Sequence, residues 1–163
     1  MKKPFALFLA MCLLSVTMGQ LKATVKCDPF VVDILNGSVN GLKSDATIHD
    51  IKEKFPCFSS AEEESSTAKC GGGVYFKDRD LVFYTQRDYI EIGPKFQGKI
   101  TPAIIGAKRN ALFNWFGNPK LKDQEWDAYQ TSYGTLILHF DKLGKVILVQ
   151  FSILSTDVIK LCN

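Results

Sequence analysis

The stretch YGTLILHFDKLGKVILVQFSIL, residues 133–154, decides the fold. Two apolar runs rich in β-branched and aromatic residues flank Asp141-Lys142-Leu143-Gly144, a turn in which Gly144 is free to take positive φ. The pattern predicts a β-hairpin. With an even loop, Phe140 pairs with Lys145, Leu138 with Ile147, Leu136 with Val149 and Gly134 with Phe151, a mostly apolar face. His139 with Val146, Ile137 with Leu148, Thr135 with Gln150 and Tyr133 with Ser152 make a mixed face. A one-residue slip sets Leu136 against Gln150 and mixes both faces, so the apolar pattern opposes it. One face is thus expected to meet a core, and the other to lie partly open to water or a partner.

Working outward, the N-terminus sets the compartment. Lys2 and Lys3 precede an apolar run from Phe5 to Val16, and Thr17-Met18-Gly19 follows, the pattern of a secretory signal peptide over residues 1–19. The run is shorter than the roughly 20 apolar residues that span a bilayer, so no stable membrane insertion is expected. Cys12 lies inside the run after Met11, a poor context for lipid attachment. Export leaves Cys27, Cys57, Cys70 and Cys162, and an even number in an exported chain predicts two disulfides with three possible connectivities. The simplest pairs Cys57 with Cys70 around a Ser/Glu-rich loop and Cys27 with Cys162 across the chain ends. The shorter loop gains about 3 kcal/mol in the chain-entropy model and the longer one somewhat more. No CxxC occurs and the spacings are irregular, which argues against zinc. Loss of Lys2 and Lys3 takes Lys+Arg from 20 to 18 against 17 acidic residues. No basic patch points to nucleic acid.

Along the mature chain, Phe30 to Leu35 and Ser38 to Leu42 read as strands around Asn36-Gly37, the signature of a type I′ turn, with Val32, Ile34 and Val39 on one face. Thr47 and Asp50 fit a capping box for a helix whose stripe is Ile48, Ile51 and Phe55 and which Pro56 ends. Ser59 to Thr67, with Glu62-Glu63-Glu64, reads as a solvated loop. Gly71-Gly72-Gly73 lacks the phosphate-loop pattern and precedes a strand. A second hairpin pairs Phe76 with Leu81 and Val74 with Phe83 on an apolar face, leaving Tyr75, Val82 and Tyr84 on the other. Asp88 to Ile92 is a further strand, broken by Gly93-Pro94. A second helix is expected over residues 108–116 with Leu112, Trp115 and Phe116 facing the core, Gly117 at its C′ position and Asn118-Pro119 closing it. Trp126 to Gln130 leads as a strand into the final hairpin. The expected class is α+β. Residues 20–96 and 97–163 form two tandem repeats of a helix plus antiparallel strands, sharing one sheet with short helices on one face.

A lead-in ending in Gly, a short helix closing in F-P or F-G-N-P, then a hairpin, given twice in an exported chain, resembles the β-lactamase-inhibitory-protein fold and the small SmpA/OmlA-type envelope-assembly modules. ITPAIIGAKRNALFNWFGNP, residues 100–119, carries the strongest likeness. In that resemblance Cys57 and Cys70 correspond to a disulfide after the first helix. The chain departs from the pattern in lacking a second intra-repeat cysteine pair and a lipid-attachment cysteine at the head of the mature chain. The resemblance implies a protein-binding concave sheet face with helices on the other side.

Reactive groups are sparse. His49 and its neighbour Asp50 do not face each other on a helix, His139 sits on the open face of the last hairpin, and neither HExxH nor GxSxG occurs. The sequence therefore favours a non-enzymatic protein binder in the periplasm or outside the cell, without cofactor or metal. Its partner would be an enzyme or toxin that it inhibits or confers immunity to. An envelope-assembly accessory and a small-ligand binder or hydrolase are the alternatives. Tyr75, Tyr84, Trp126, Tyr129, Tyr133 and His139 are the candidate contact residues, because exposed aromatic rings anchor interfaces.

Overall fold

The structure, a computed structural model, describes residues 25–67 and 70–162, so the signal-peptide segment lies outside the described residues. The chain is α+β and mostly sheet. Three short strands, β1 (Val31–Asp33), β2 (Ser38–Val39) and a later β7 (Lys99–Thr101), form a small sheet in the order β2-β1-β7. The Asn36-Gly37 turn is wider than expected. Only Gly37 takes positive φ, at 62°, and the Asp33 carboxylate accepts from the backbone N–H groups of Leu35 and Asn36, closing a four-residue loop. Val32, Ile34 and Val39 are fully buried together, as their alternation requires.

The first helix α1 (Ile48–Lys54) begins at the expected capping box: Asp50 N–H donates to the Thr47 hydroxyl, and the Asp50 carboxylate accepts from Thr47 N–H. Ile51 and Phe55 are fully buried, and Phe55 stacks on Phe30 with ring centroids 4.7 Å apart. The segment read as a solvated loop starts as an edge strand, β3 (Ser60–Glu62), bonded to β4 (Gly73–Phe76). β4, β5 (Leu81–Tyr84) and β6 (Tyr89–Ile92) then form an antiparallel meander in the expected register, Val74 opposite Phe83 and Phe76 opposite Leu81.

After β7 the expected long helix is a 3-10 turn over Arg109–Ala111 and one turn of α-helix, α2 (Phe113–Phe116). Leu112 is fully buried and Phe116 packs on the core, but Trp115 stays 44 % exposed. A helix of one turn buries a narrower stripe than the three positions assigned to it. β8 (Leu121–Lys122), β9 (Trp126–Gln130), β10 (Thr135–Phe140) and β11 (Val146–Ser152) complete an eight-stranded antiparallel sheet in the order β3-β4-β5-β6-β11-β10-β9-β8. One face carries Phe76, Phe83, Ile90, Phe151, Leu136 and their neighbours into a single core beneath α1, the small sheet and Leu112.

The final hairpin forms in a different register. Five residues, 141–145, separate the strands where four were expected: Asp141 N–H donates to the Lys145 carbonyl, the Asp141 carboxylate accepts from Leu143 and Lys145 N–H, and Gly144 takes φ 69°. Phe140 therefore meets Val146, a bulge follows, and beyond it Leu138 meets Val149 and Leu136 meets Phe151. The offset from the expected pairs is two residues there, which preserves the faces. The bulge accommodates Ile147, which is 39 % exposed, and turns Val146 into the core.

The disulfides are Cys27–Cys57 and Cys70–Cys162, not the simplest pairing from sequence. The cause is β3. It runs the chain along the whole length of β4, leaving Cys57 near one end of that strand and Cys70 near the other. Four strand residues span about 13 Å, whereas bridged Cα atoms lie within about 7 Å. Two intramolecular disulfides are in keeping with an oxidising compartment. Among the described residues no helix is long and apolar enough to cross a membrane.

Candidate functional site

Strand alternation puts a second set of side chains on the face of the large sheet away from the core. The register aligns them in a continuous row across all eight strands: Ser60, Tyr75, Val82, Glu91, Gln150, Ile137, Ala128 and Leu121. Rows to either side hold Tyr84, Tyr89, Ser152 and Thr135, and Leu148, His139 and Trp126. Among the described residues no helix or second sheet covers this face. The C-terminal segment crosses part of it, where Cys162 N–H donates to the Tyr89 hydroxyl, Thr135 donates to the Leu154 carbonyl and Thr156 donates to Gln130, and Tyr89, Ser152, Thr135, Gln150, Ile137 and Ala128 are buried.

A polar chain runs through the centre. Glu91 is acceptor-only when ionised, so Gln150 must turn its amide NH2 toward it, at 2.8 Å. That orientation aims the Gln150 carbonyl at His139 Nε2, 2.9 Å away, so the ring donates from Nε2. Toward the β3 edge, Tyr75 and Tyr84 meet edge to face at 6.1 Å, and Tyr84 stacks on Tyr89 at 4.5 Å. The Tyr75 hydroxyl donates to Glu62. Burial, and then the charges of Glu91 and of Tyr75 once ionised, push the Tyr84 hydroxyl up to about 12.

Four of the six candidate residues, Tyr75, Tyr84, Trp126 and His139, stand on this face and are partly exposed. Two do not. Tyr129 lies opposite Leu136 on the core face, is 3 % exposed and touches Phe116; burial and then Asp127 push its hydroxyl up to about 12. Tyr133 precedes β10. Gly134, at φ 145°, breaks the alternation there, and the Tyr133 ring turns onto Gly37 and Phe151 in the core, where burial raises its pKa.

Glu62 and Glu91 were missed as members of the face, whereas Gln150 stands on the mixed face where alternation placed it. Glu91 is the single charged residue of its strand, a signal legible in the sequence once the strand's face is known. Glu62 depended on an edge strand that the polar run concealed.

Behind the face, Arg109 braces the Trp126 strand. Its guanidinium grips Asp127 through two bonds of 2.8 and 2.5 Å, donates to the carbonyl of Asp123 at 2.5 Å, and lies 4.6 Å over the Phe140 ring. Among the described residues no group of three or more His, Cys, Asp or Glu side chains is placed to hold a metal ion. Compared with protein-family models, curated proteins and solved structures, the chain matches none.

Proposed function

We propose that this is an exported, non-enzymatic protein-binding module whose contact surface is the uncovered face of the eight-stranded sheet, acting as an inhibitor of, or immunity protein against, an enzyme or toxin. The carrying observation is the asymmetry of that sheet. One face is packed into the core, while the other carries Tyr75, Tyr84, Trp126 and His139, each partly exposed, and no described helix or second sheet packs on it. Aromatic side chains with a polar end suit a surface that alternates between water and a partner.

The strand order supports reading the mature chain as two repeats. Each half has a helix followed by four antiparallel strands, and β3-β4-β5-β6 and β11-β10-β9-β8 mirror each other about the β6–β11 pair. A two-fold axis normal to the sheet relates antiparallel neighbours. β1 and β7 run parallel, so the proposed repeat rests on the two meanders and leaves out the lead-in strands.

The test is affinity capture of oxidised residues 20–163 from the secreted and envelope fractions of the source cells. Three forms are compared: wild type, Tyr75→Ala/Trp126→Ala, and Phe113→Ala/Trp115→Ala on exposed rings of the helical side. One stoichiometric partner lost only by the first variant supports the reading. A partner lost only by the second moves the surface to the helices and overturns it. A partner held by all three overturns it as well.

A further inference from the structure

We infer that the β3–β6 half of the uncovered face receives a basic side chain, arginine or lysine, carried on a projecting loop of the partner protein. This rests on the reading of that face as the binding surface and adds the chemistry of its occupant.

The charge on the face is one-sided. The only Asp, Glu, Lys or Arg among its strand residues are Glu62 and Glu91. This holds in a chain whose formal net charge is +3, so the acidic character is local. The nearest cations along the sequence sit at strand ends: Lys77 just after β4, and Arg87 on the 3-10 turn between β5 and β6, whose charge is felt at Tyr89.

The two carboxylates bracket the tyrosines. In sheet order the face reads Glu62 on β3, Tyr75 on β4, Tyr84 on β5 and Glu91 on β6. The register sets the two carboxylates on either side of the Tyr75–Tyr84 pair, whose rings meet at 6.1 Å. Among the described residues Glu62 accepts from the Tyr75 hydroxyl and Glu91 from the Gln150 amide, and a carboxylate offers about four acceptor positions. Aromatic rings with carboxylates at both ends suit an extended cationic side chain: its stem lies along the rings, its charge meets their π faces, and its N–H groups meet a carboxylate. β3 and β6 lie three strand spacings apart, about 14 Å. That separation suits a long organic cation better than a metal ion.

The probe is a displayed library of disulfide-closed random peptide loops, selected against the oxidised protein. Selected loops are expected to be enriched in arginine and lysine. Their affinity should fall about ten-fold or more in Glu62→Gln/Glu91→Gln, fall similarly in Tyr75→Ala/Tyr84→Ala, and weaken as salt rises. Loops that lose binding in the tyrosine variant but show no basic enrichment and no loss in the glutamine variant overturn this inference and leave the binding face standing. Loops indifferent to both variants, or a library that yields none, overturn both. Tyr75→Phe and Glu62→Gln singly, at partly or fully exposed positions, keep the comparison possible if a double variant fails to fold.

Discussion

Arg109→Ala should destabilise the protein by about 3 kcal/mol. The Asp127 side chain is 3 % exposed, and its charge is balanced by the Arg109 guanidinium through two hydrogen bonds. Removing one partner of a buried pair typically costs about 3–5 kcal/mol, because the other charge is left buried and unpaired. The lower end applies here, since the Arg109 side chain is 24 % exposed and its loss opens a path for water. The substitution also frees the carbonyls of Asp123 and Gln124, which the guanidinium holds in the turn before β9, and removes the cation from the Phe140 ring. Asp127→Ala should cost less, about 1–2 kcal/mol, because the remaining guanidinium keeps its carbonyl partners and reaches water. The two costs should be strongly non-additive in the double variant. Urea unfolding of the four proteins, followed by circular dichroism, reads these values directly. A cost below about 1 kcal/mol for Arg109→Ala, or additive single costs, would refute the reasoning.

Other perturbations test other joints of the fold. Thr47→Ala should cost about 1 kcal/mol by thermal unfolding, through loss of the α1 cap. Asp50 reports the same cap through pH. Its hydrogen bonds to Thr47 hold its pKa below the unfolded value, so its contribution is present above the unfolded carboxylate pKa and is lost as pH falls through the folded one; an acid titration of stability in Asp50→Asn should lack that component. Replacing Cys70 and Cys162 together by serine should cost about 4–5 kcal/mol, and replacing Cys27 and Cys57 about 3–4 kcal/mol, from loops of 92 and 30 residues. Only the first pair should raise hydrogen exchange in residues 153–162. Gly134→Ala should disrupt the last hairpin, since a Cβ there meets the backbone of Ser152 and Ile153, whereas Gly144→Ala meets open space and should cost only about 1–2 kcal/mol of backbone strain in unfolding titrations.

Local chemistry was the legible part of the sequence. The Thr47–Asp50 capping box and the β4–β5 register rest on residues a few positions apart, and both formed as written. The final hairpin shows the limit. Its faces followed from alternation, but its register depended on whether Asp141 would close a loop of five residues, 141–145, a hydrogen-bond choice that composition does not reveal. The cysteine pairing failed for a longer-range reason, because a polar run became the edge strand that drew Cys57 and Cys70 apart. Tyr129 and Trp115 exchanged the expected burial: strand register turned the first inward, and the shortness of α2 left the second outside. Glu91, Gln150 and His139 come from three strands and meet only through pairing, so their hydrogen-bonded chain had no sequence signature.

In the proposed function the uncovered sheet face meets a protein partner. Hydroxyl-radical footprinting of the captured complex tests it most directly, because it reads individual side chains. Protection of Tyr75, Tyr84, Trp126 and His139 with Phe113 and Trp115 unchanged is the predicted result. Protection of Phe113 and Trp115 with the four sheet residues still reactive would contradict it.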